Sequence, residues 1–318
     1  MIQMTSDLSQ YTIGITTIAF SQNHKLLKEV QSLGFKLVKP NIDLKRFSES
    51  ELILFLKECD FAIVGLDKIN DNVLKSLPKL KLVSKYGVGL DNIDFDACEK
   101  HNVEVVFPKG VNKRSVSELA LGFMLGIARN IYKSSNSLKE GRWEKMGGFQ
   151  LSEKSVGIIG LGHVGKDLVK LLKPFNCTIY ANDIVDVKGF CEENNVQSVS
   201  KEFIYKNCDF VSLHVPATEL TINMINSNSL KYFKKGSVLI NTARGELVDQ
   251  ESLKLFLKNE LTGAGIDVYS AEPPSDTDLL SNTNLINTPH IGGNSKEAVL
   301  AMGQSSINNI INHVSSWQ

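Results

Sequence analysis

The feature that most constrains the fold of this chain is a glycine-rich turn at residues 160–165, which read G-L-G-H-V-G. The turn follows an apolar run over residues 156–159 and precedes a helical pattern that reaches Leu172. A second apolar run then leads to Asp183. A strand, a tight glycine turn, a helix and a second strand that ends at an acid form a βαβ unit with parallel strands. The chain is therefore predicted to have an α/β fold.

Each glycine of this turn is explained by the backbone geometry that a βαβ unit requires. Gly160 permits the tight turn, Gly162 lets the backbone approach a pyrophosphate, and Gly165 allows the helix to pack closely on the strand. The helix N-terminus supplies free N–H groups for a phosphate. Asp183 is expected to accept hydrogen bonds from the ribose hydroxyls of adenosine and to repel a 2′-phosphate, which favours NAD over NADP. The alternative is a Rossmann-like turn without a ligand.

Short β-branched runs alternate with helical patterns twice along the chain, before residue 108 and again after residue 155. Such alternation predicts doubly wound parallel sheets, and 318 residues are enough for two domains. We expect two doubly wound α/β domains of Rossmann-like or flavodoxin-like type, with a cleft between them. The closing helical stretch over residues 295–314 is expected to cross back to the first domain.

A strongly apolar helical stretch lies between the two alternating patterns, at residues 115–132. Ser115 and Glu118 have the spacing of a capping box, which predicts that the helix begins there. Because apolar residues lie on nearly every face, the helix needs partners on more than one side. An interdomain helix, a dimer contact and a buried core helix are all compatible with this pattern.

The composition excludes several classes of protein. Lys+Arg and Asp+Glu number 35 each, so the chain has no overall positive charge for nucleic acid or an anionic membrane surface. The five cysteines include no C-x-x-C pair, which argues against a disulfide framework or a zinc site. The N-terminus lacks a signal pattern, and no uncharged stretch reaches the roughly 18 to 20 residues of a membrane helix. We expect a cytoplasmic protein that acts on a small molecule, without a metal, nucleic acid or membrane partner.

Among the six histidines, His290 has the most informative position. It follows a strand-like segment at residues 285–287 and a proline, and the carboxyl ends of strands are where doubly wound folds bind ligands. A structural histidine is the alternative interpretation. The remaining five lie in polar helical stretches, in turns or before a Val-Pro pair: His24, His101, His163, His214 and His313.

Three charged residues in the same half of the chain complete a catalytic set with His290. Reduction of a ketone by hydride leaves an alkoxide that needs a proton, which an imidazolium supplies near neutral pH. Glu272 is expected to keep His290 protonated and oriented. Arg244 is expected to bind the carboxylate of a 2-oxo acid bidentately and to polarise its carbonyl, and Asp267 to bind the nicotinamide carboxamide. A surface salt bridge, a solvated loop acid and a turn acid are the respective alternatives for Arg244, Glu272 and Asp267.

At these motifs the chain resembles the D-isomer-specific 2-hydroxyacid dehydrogenase family over nearly its whole length. Residues 85–94, 142–143 and 212–218 are also similar to family segments, the first of them to the substrate loop. The resemblance implies an NAD-dependent oxidoreductase that interconverts a small D-2-hydroxy acid and its 2-oxo acid, of phosphoglycerate, hydroxypyruvate or glyoxylate type. It implies a homodimer built partly by the helix near residues 115–132. It also implies a substrate-binding domain of residues 1–108 plus 294–318 around an NAD-binding domain of residues 109–293.

The resemblance assigns functional roles to specific positions of this chain. The implied catalytic residues are Arg244, Glu272 and His290. The implied cofactor contacts are Gly160, Gly162, His163, Val164, Gly165, Asp183, His214, Val215, Pro216, Thr242, Ala243, Arg244, Asp267, His290 and Gly292. The implied substrate contacts are Lys85, Tyr86, the backbone amides of Val88 and Gly89, Arg244 and His290.

Several positions depart from the commonest family pattern. His163 stands where arginine is frequent, which removes a permanent charge from the pyrophosphate region, and Glu246 replaces a frequent glycine. The arginine that often follows the third strand in the phosphoglycerate branch is absent from residues 65–68, which puts a phosphorylated substrate in doubt, although Lys85 could still supply a cation. The chain ends soon after the closing helical stretch, so no regulatory C-terminal domain is expected. The alternative function is a catalytically silent NAD(H)-binding corepressor or sensor on the same fold.

Overall fold

The computed structural model describes residues 8–40 and 47–316. The chain divides into two compact units, Met1–Asn112 with Asn294–Gln318 and Lys113–Gly293. The first unit thus combines both ends of the chain, and the second is inserted into it.

The first unit contains a five-stranded parallel sheet of order β2-β1-β3-β4-β5. This is the flavodoxin-like strand order of a doubly wound fold. Its strands are β1 (Thr12–Ile15), β2 (Lys36–Val38), β3 (Phe61–Val64), β4 (Leu82–Lys85) and β5 (Glu104–Val106). Its helices, numbered along the whole chain, are α1 (Ile18–Ser21), α2 (His24–Ser32), α3 (Glu49–Leu56), α4 (Asp71–Lys75), α5 (Phe95–Lys100) and α14 (Lys296–Ser315).

The side chains of β3 show why the sheet of the first unit is covered on both faces. Phe61 and Ile63 enter one apolar cluster, with residues of α2 and α14. Ala62 and Val64 enter a second cluster, with residues of α3, α4 and α5. Because successive residues of a strand point to opposite faces, a strand buried on both sides is a continuous apolar run.

The second unit contains a seven-stranded parallel sheet of order β12-β11-β10-β9-β6-β7-β8. Its strands are β6 (Ser155–Ile159), β7 (Thr178–Asn182), β8 (Val196–Ser198), β9 (Phe210–Leu213), β10 (Val238–Asn241), β11 (Gly263–Ile266) and β12 (Leu285–Asn287). Its helices are α6 (Lys113–Ala128), α7 (Ile131–Lys139), α8 (His163–Leu172), α9 (Lys188–Asn194), α10 (Lys201–Asn207), α11 (Ser227–Leu230), α12 (Gln250–Asn259) and α13 (Thr277–Leu280).

The strand order of the second unit is that of a Rossmann fold, with the first strand, β6, at the point where the order reverses. The two parallel sheets confirm the predicted fold class. The edge strand β8 was not predicted. Only Val196 of its three residues is buried, so the segment lacks the apolar run that marks an inner strand.

Helix α6 differs from its prediction at both ends. It begins at Lys113, so Ser115 lies inside the helix and the predicted capping box is wrong; the Ser115 hydroxyl instead donates to the Gly292 carbonyl. It ends at Ala128, because Asn130 adopts a left-handed conformation with φ +50° before α7 begins. Its buried face packs on α8, β10 and β11, as expected of a helix with one face in the core.

Three findings concern the described part of the chain as a whole. In residues 8–40 and 47–316, no helix has both the length and the apolar character to cross a membrane. The same residues contain no group of three or more His, Cys, Asp or Glu side chains placed to bind a metal ion. The five cysteines are free thiols, of which only Cys177 is half-buried and the others are buried.

The packing of α6 on β11 generates a stability prediction. A Cβ atom at Gly265 would lie 2.6 Å from the Phe123 side chain, so we expect Gly265→Ala to destabilise the fold by about 1–3 kcal/mol through overpacking. Gly122, on the exposed side of α6, has no atom within 4 Å of such a Cβ, and Gly122→Ala should stabilise the fold by about 0.5–1 kcal/mol. Urea unfolding followed by circular dichroism measures both, and effects of equal sign would contradict the packing described.

Candidate active site

The centre of the candidate site is a hydrogen-bonded pair, His290 and Glu272. The His290 Nδ1 atom lies 2.9 Å from Glu272 Oε2 and 3.0 Å from Oε1. With Nδ1 facing the carboxylate, Nε2 is the ring nitrogen through which a proton would be exchanged with a ligand. The His290 side chain is 37% exposed, so a small molecule can reach it.

Glu272 raises the pKa of His290. The hydrogen bond from the ring to the carboxylate is the largest cause, and the negative charge of Glu272 adds to it. Burial of the ring and the positive charge of Arg244 oppose the shift. The pair therefore favours the protonated imidazole relative to a histidine without this partner.

The buried carboxylate of Asp267 holds the backbone around His290. Its Oδ1 accepts hydrogen bonds from Ile291 N at 2.8 Å and from the Thr288 hydroxyl at 2.5 Å, and its Oδ2 accepts one from Gly292 N at 2.8 Å. His290 itself has φ +54°, a left-handed conformation that is uncommon for a residue with a Cβ. Asp267 is 1% exposed, and this burial raises its pKa although the hydrogen bonds oppose the rise. These contacts match the turn-acid alternative; contact with a nicotinamide remains a prediction.

Tyr269 links the loops that carry Glu272 and His290, a role that the sequence did not reveal. Its backbone N–H donates to Glu272 Oε1 at 3.2 Å. Its hydroxyl donates to the Thr288 carbonyl at 3.3 Å. Burial of the phenol raises its pKa to about 12, so the hydroxyl stays a donor at neutral pH. No feature of the sequence pattern distinguished Tyr269 from a core aromatic residue.

The Arg244 loop follows β10 and is organised by the side chain of Asn241. The Asn241 amide donates to the Arg244 carbonyl at 2.8 Å and accepts from Ala243 N at 3.1 Å. At Gly245, a Cβ would lie 1.9 Å from the carbonyl carbon of Tyr269, so only glycine permits this approach. The loop carrying Arg244 is thereby held against the segment that precedes Glu272.

The glycine turn between β6 and α8 shows three different environments. A Cβ at Gly160, which has φ +96°, would lie 2.5 Å from the His214 carbonyl oxygen. A Cβ at Gly165 would lie 2.2 Å from the Gly160 carbonyl oxygen. A Cβ at Gly162 would have no atom within 4 Å, so space is open beside this residue. Gly160 and Gly165 are therefore packing glycines, and Gly162 leaves room for a ligand.

The N-terminus of α8 fits an anionic group. The helix begins at His163, its N-cap Gly162 makes no side-chain cap, and no acid occurs in the first turn. First-turn N–H groups, which include those of Val164 and Gly165, lack intrahelical partners and attract phosphate oxygens. The Asp183 carboxylate, directly after β7, accepts from Leu161 N at 2.6 Å and from Val185 N at 3.1 Å. A hydrogen bond thus joins the glycine turn to Asp183, the acid at the end of the second strand of the βαβ unit.

The ends of β9 and β10 contribute the remaining predicted cofactor residues. The Nε2 atom of His214 lies 2.8 Å from the Ser212 hydroxyl. Burial lowers the pKa of His214 to about 4, so its ring is neutral at pH 7. Val215 is beside Gly160, and the next residue is Pro216. Thr242 is buried, and in residues 8–40 and 47–316 its hydroxyl has no hydrogen-bond partner. A buried unpaired hydroxyl, with the open space at Gly162, fits a polar cofactor.

The predicted substrate residues Lys85 and Tyr86 are engaged within the first unit. Lys85, the last residue of β4, is 2% exposed, and its amine donates to the Gly65 carbonyl. Tyr86 is also buried, its hydroxyl donates to the Val299 carbonyl at 3.3 Å, and burial raises its pKa. Contact of these two side chains with a substrate remains a prediction.

The backbone after Tyr86 turns sharply at Gly87, which has φ +105°. A positive φ of this size is readily adopted only by glycine. Val88 and Gly89 follow as half-buried residues. Consecutive amides in such a turn can point at one anion.

Comparisons with known proteins identify the family. Residues 121–292 match the family model described as D-isomer specific 2-hydroxyacid dehydrogenase, NAD binding domain. The chain is 35% identical over 288 residues to a hydroxypyruvate reductase of Thermotoga maritima, which covers 88% of this chain and 93% of that protein. It is 36% identical over 261 residues to a D-3-phosphoglycerate dehydrogenase of Methanocaldococcus jannaschii, which covers 80% of this chain and 50% of that protein. The match thus spans about half the length of that phosphoglycerate dehydrogenase.

A solved structure shows the same fold. The structure of D-2-hydroxyisocaproate dehydrogenase superposes with a TM-score of 0.84 at 26% identity, covering 96% of this chain and 98% of that one.

The His290–Glu272 pair generates a pH prediction. In Glu272→Gln the pKa of His290 should fall, because the hydrogen bond to a carboxylate is lost while burial still disfavours the charged ring. The pair stabilises the fold below the ordinary histidine pKa of 6.5 and loses this effect as the pH rises through the raised value. Wild type should therefore exceed Glu272→Gln in unfolding free energy by about 1 kcal/mol or less at pH 6 and converge with it at alkaline pH. A difference that grows with pH would contradict this sign.

Proposed function

This chain belongs to the D-isomer specific 2-hydroxyacid dehydrogenase family, and from that premise we propose that it interconverts a small D-2-hydroxy acid and its 2-oxo acid. The observation that carries the proposal is the His290–Glu272 pair, with Nδ1 on the carboxylate and the ring within reach of a small molecule. A nicotinamide cofactor supplies or accepts the hydride.

We assign proton transfer to His290. In the reducing direction, the imidazolium donates its Nε2 proton to the substrate oxygen as that oxygen gains negative charge. Glu272 keeps its own charge and stabilises the cationic ring before the transfer, while its hydrogen bond fixes the ring orientation. In the oxidising direction the neutral imidazole accepts the hydroxyl proton.

Arg244 is proposed to bind the substrate carboxylate and to polarise the carbonyl. A guanidinium presents parallel N–H donors that match a carboxylate, which a lysine ammonium does not. Support comes from the Asn241 side chain and from the close approach at Gly245, which together fix the backbone of the Arg244 loop. In the first unit, the backbone amides of Val88 and Gly89 are the proposed carboxylate donors.

The activity is tested with NADH and a panel of glyoxylate, hydroxypyruvate, pyruvate and phosphohydroxypyruvate. We expect reduction of at least one of them, with His290→Gln lowering kcat by about a hundredfold or more because proton donation is lost. Arg244→Lys should raise KM and lower kcat together, because the guanidinium is proposed both to bind the substrate carboxylate and to polarise the substrate carbonyl. Full activity in His290→Gln would remove its assigned role. Cofactor binding without turnover of any substrate would instead favour the alternative function, a catalytically silent NAD(H)-binding sensor or corepressor.

NAD is proposed as the cofactor in preference to NADP. Both Asp183 oxygens are held by backbone amides, so the carboxylate is fixed at the end of β7, where it would repel a 2′-phosphate. Open space at Gly162 and the uncapped first turn of α8 support a pyrophosphate beside them. The other proposed contacts are His163, Val164, His214, Val215, Pro216, Thr242, Ala243, Asp267 and Gly292.

Asp183→Ser should shift the cofactor preference. Removal of the charge should lower the ratio of kcat/KM for NADH to that for NADPH by about tenfold or more, since a like-charge contact is removed. Steady-state kinetics with both cofactors measure the ratio. Asp186→Ser is a matched control, because it removes an exposed acid from the same loop. An unchanged ratio in Asp183→Ser would contradict the proposed role.

A homodimer is proposed as the assembly. Its support is a group of exposed apolar side chains on α7 and the segment after it, within the second unit. They are Ile131, Tyr132, Leu138 and Trp143, each more than half exposed. Exposed apolar groups of this size and number are typical of protein interfaces.

A further inference from the structure

The first turn of α6 contacts two functional segments of the second unit that are far apart in sequence. One is the loop that carries His290, and the other is α8, the helix that begins at the glycine turn. The three residues that make these contacts are Arg114, Ser115 and Ser117, which we name the α6 bracket. None of them has a role in the proton transfer or carboxylate binding proposed above.

The contact with the His290 loop is a hydrogen bond from Ser115. Its hydroxyl donates to the Gly292 carbonyl at 2.6 Å, across 177 residues of sequence. The N–H of Gly292 donates in turn to the Asp267 carboxylate at 2.8 Å. Gly292 is thus held from both its N–H and its carbonyl, two residues beyond His290. A Cβ at Gly292 would be 3.6 Å from Val116, so α6 also lies against this residue.

The contact with α8 is a network of charged and polar groups on the buried carboxylate of Asp167. The Arg114 guanidinium engages both carboxylate oxygens, with Nε 3.0 Å from Oδ2 and Nη2 3.0 Å from Oδ1. The Ser117 hydroxyl donates to Oδ2 at 2.5 Å. Asp167 is 5% exposed and Ser117 is fully buried. The bidentate geometry fixes the orientation of the two helices as well as their separation.

Only the carboxylate of this pair is buried, because the Arg114 side chain is 52% exposed, so the ion pair alone is a weak source of stability. Removing a carboxylate from water carries a penalty that the ion pair offsets only with good geometry and further hydrogen bonds. What the charged network adds is one defined arrangement of the two helices.

We propose that the α6 bracket sets the His290 loop in a fixed position relative to α8, with Ser115 as a positioning residue for His290. The inference rests on the proposed function, in which the cofactor lies at the N-terminus of α8 and the proton donor is His290. Hydride and proton must reach neighbouring atoms of one substrate, so the two segments need a defined separation. Displacements of about 1 Å in such arrangements cost on the order of a hundredfold in rate.

The test uses Ser115→Ala, which removes the hydroxyl, and Ser115→Thr, which retains it. The matched control is Ser252→Ala, because Ser252 is also a helical serine of the second unit and its hydroxyl bonds to Asp249, outside the candidate site. For each protein we would measure kcat, KM for NADH, the unfolding midpoint, and the pKa of His290 by NMR. The His290 signal is assigned by its loss in His290→Gln.

We expect Ser115→Ala to lower kcat by about five- to tenfold, with KM for NADH changed less than about twofold, since a transition-state arrangement is lost and not cofactor binding. The pKa of His290 should also fall, because a looser loop weakens its bond to Glu272. Ser115→Thr should restore both values, and Ser252→Ala should change neither.

An unchanged kcat and an unchanged His290 pKa in Ser115→Ala would overturn the inference, as would equal changes in Ser252→Ala. A lower unfolding midpoint alone would indicate a merely structural hydroxyl and would also overturn it. If wild type reduces none of the panel substrates, the proposed function fails, and the His290 titration still decides whether Ser115 positions the ring.

Discussion

The candidate site depends most on the hydrogen bonds between the buried Asp267 carboxylate and the loop after β12. Its two oxygens accept hydrogen bonds from Thr288, Ile291 and Gly292. These hydrogen bonds stabilise His290 in a left-handed backbone conformation that costs roughly 1–3 kcal/mol outside such a network. The ring can then face Glu272, whose carboxylate raises the pKa of the imidazole. The buried acid thus holds the backbone from which His290 reaches Glu272.

Parallel topology explains how so many functional residues come together in the second unit. Gly160, His214, Arg244, Asp267 and His290 all follow the carboxyl ends of strands, on β6, β9, β10, β11 and β12 respectively. Because every strand of the sheet runs in the same direction, these ends share one edge. The sheet supplies the common edge, and side chain to backbone hydrogen bonds then fix each loop individually.

Much of the fold and of the candidate site could be predicted, because the signals are local. Glycine spacing, strand alternation and the position of His290 after a strand depend on neighbouring residues, and the fold class followed from them. The start of α6 was predicted wrongly at Ser115, because capping-box spacing is also produced by residues inside a helix. Strand β8 was missed, since an edge strand with one buried residue has little apolar signal.

By itself, the amino-acid sequence determined the βαβ unit and the two parallel-sheet patterns. Backbone conformation and strand periodicity are properties of short segments, so these features need no knowledge of distant residues. Only the tertiary structure decided that Tyr269 joins the Glu272 and His290 loops, that Asp267 serves as a turn acid, and that Ser115 reaches Gly292. Each of these contacts forms only when packing brings distant segments of the chain close together. The reason is that a hydrogen bond requires a separation of about 3 Å and a suitable angle.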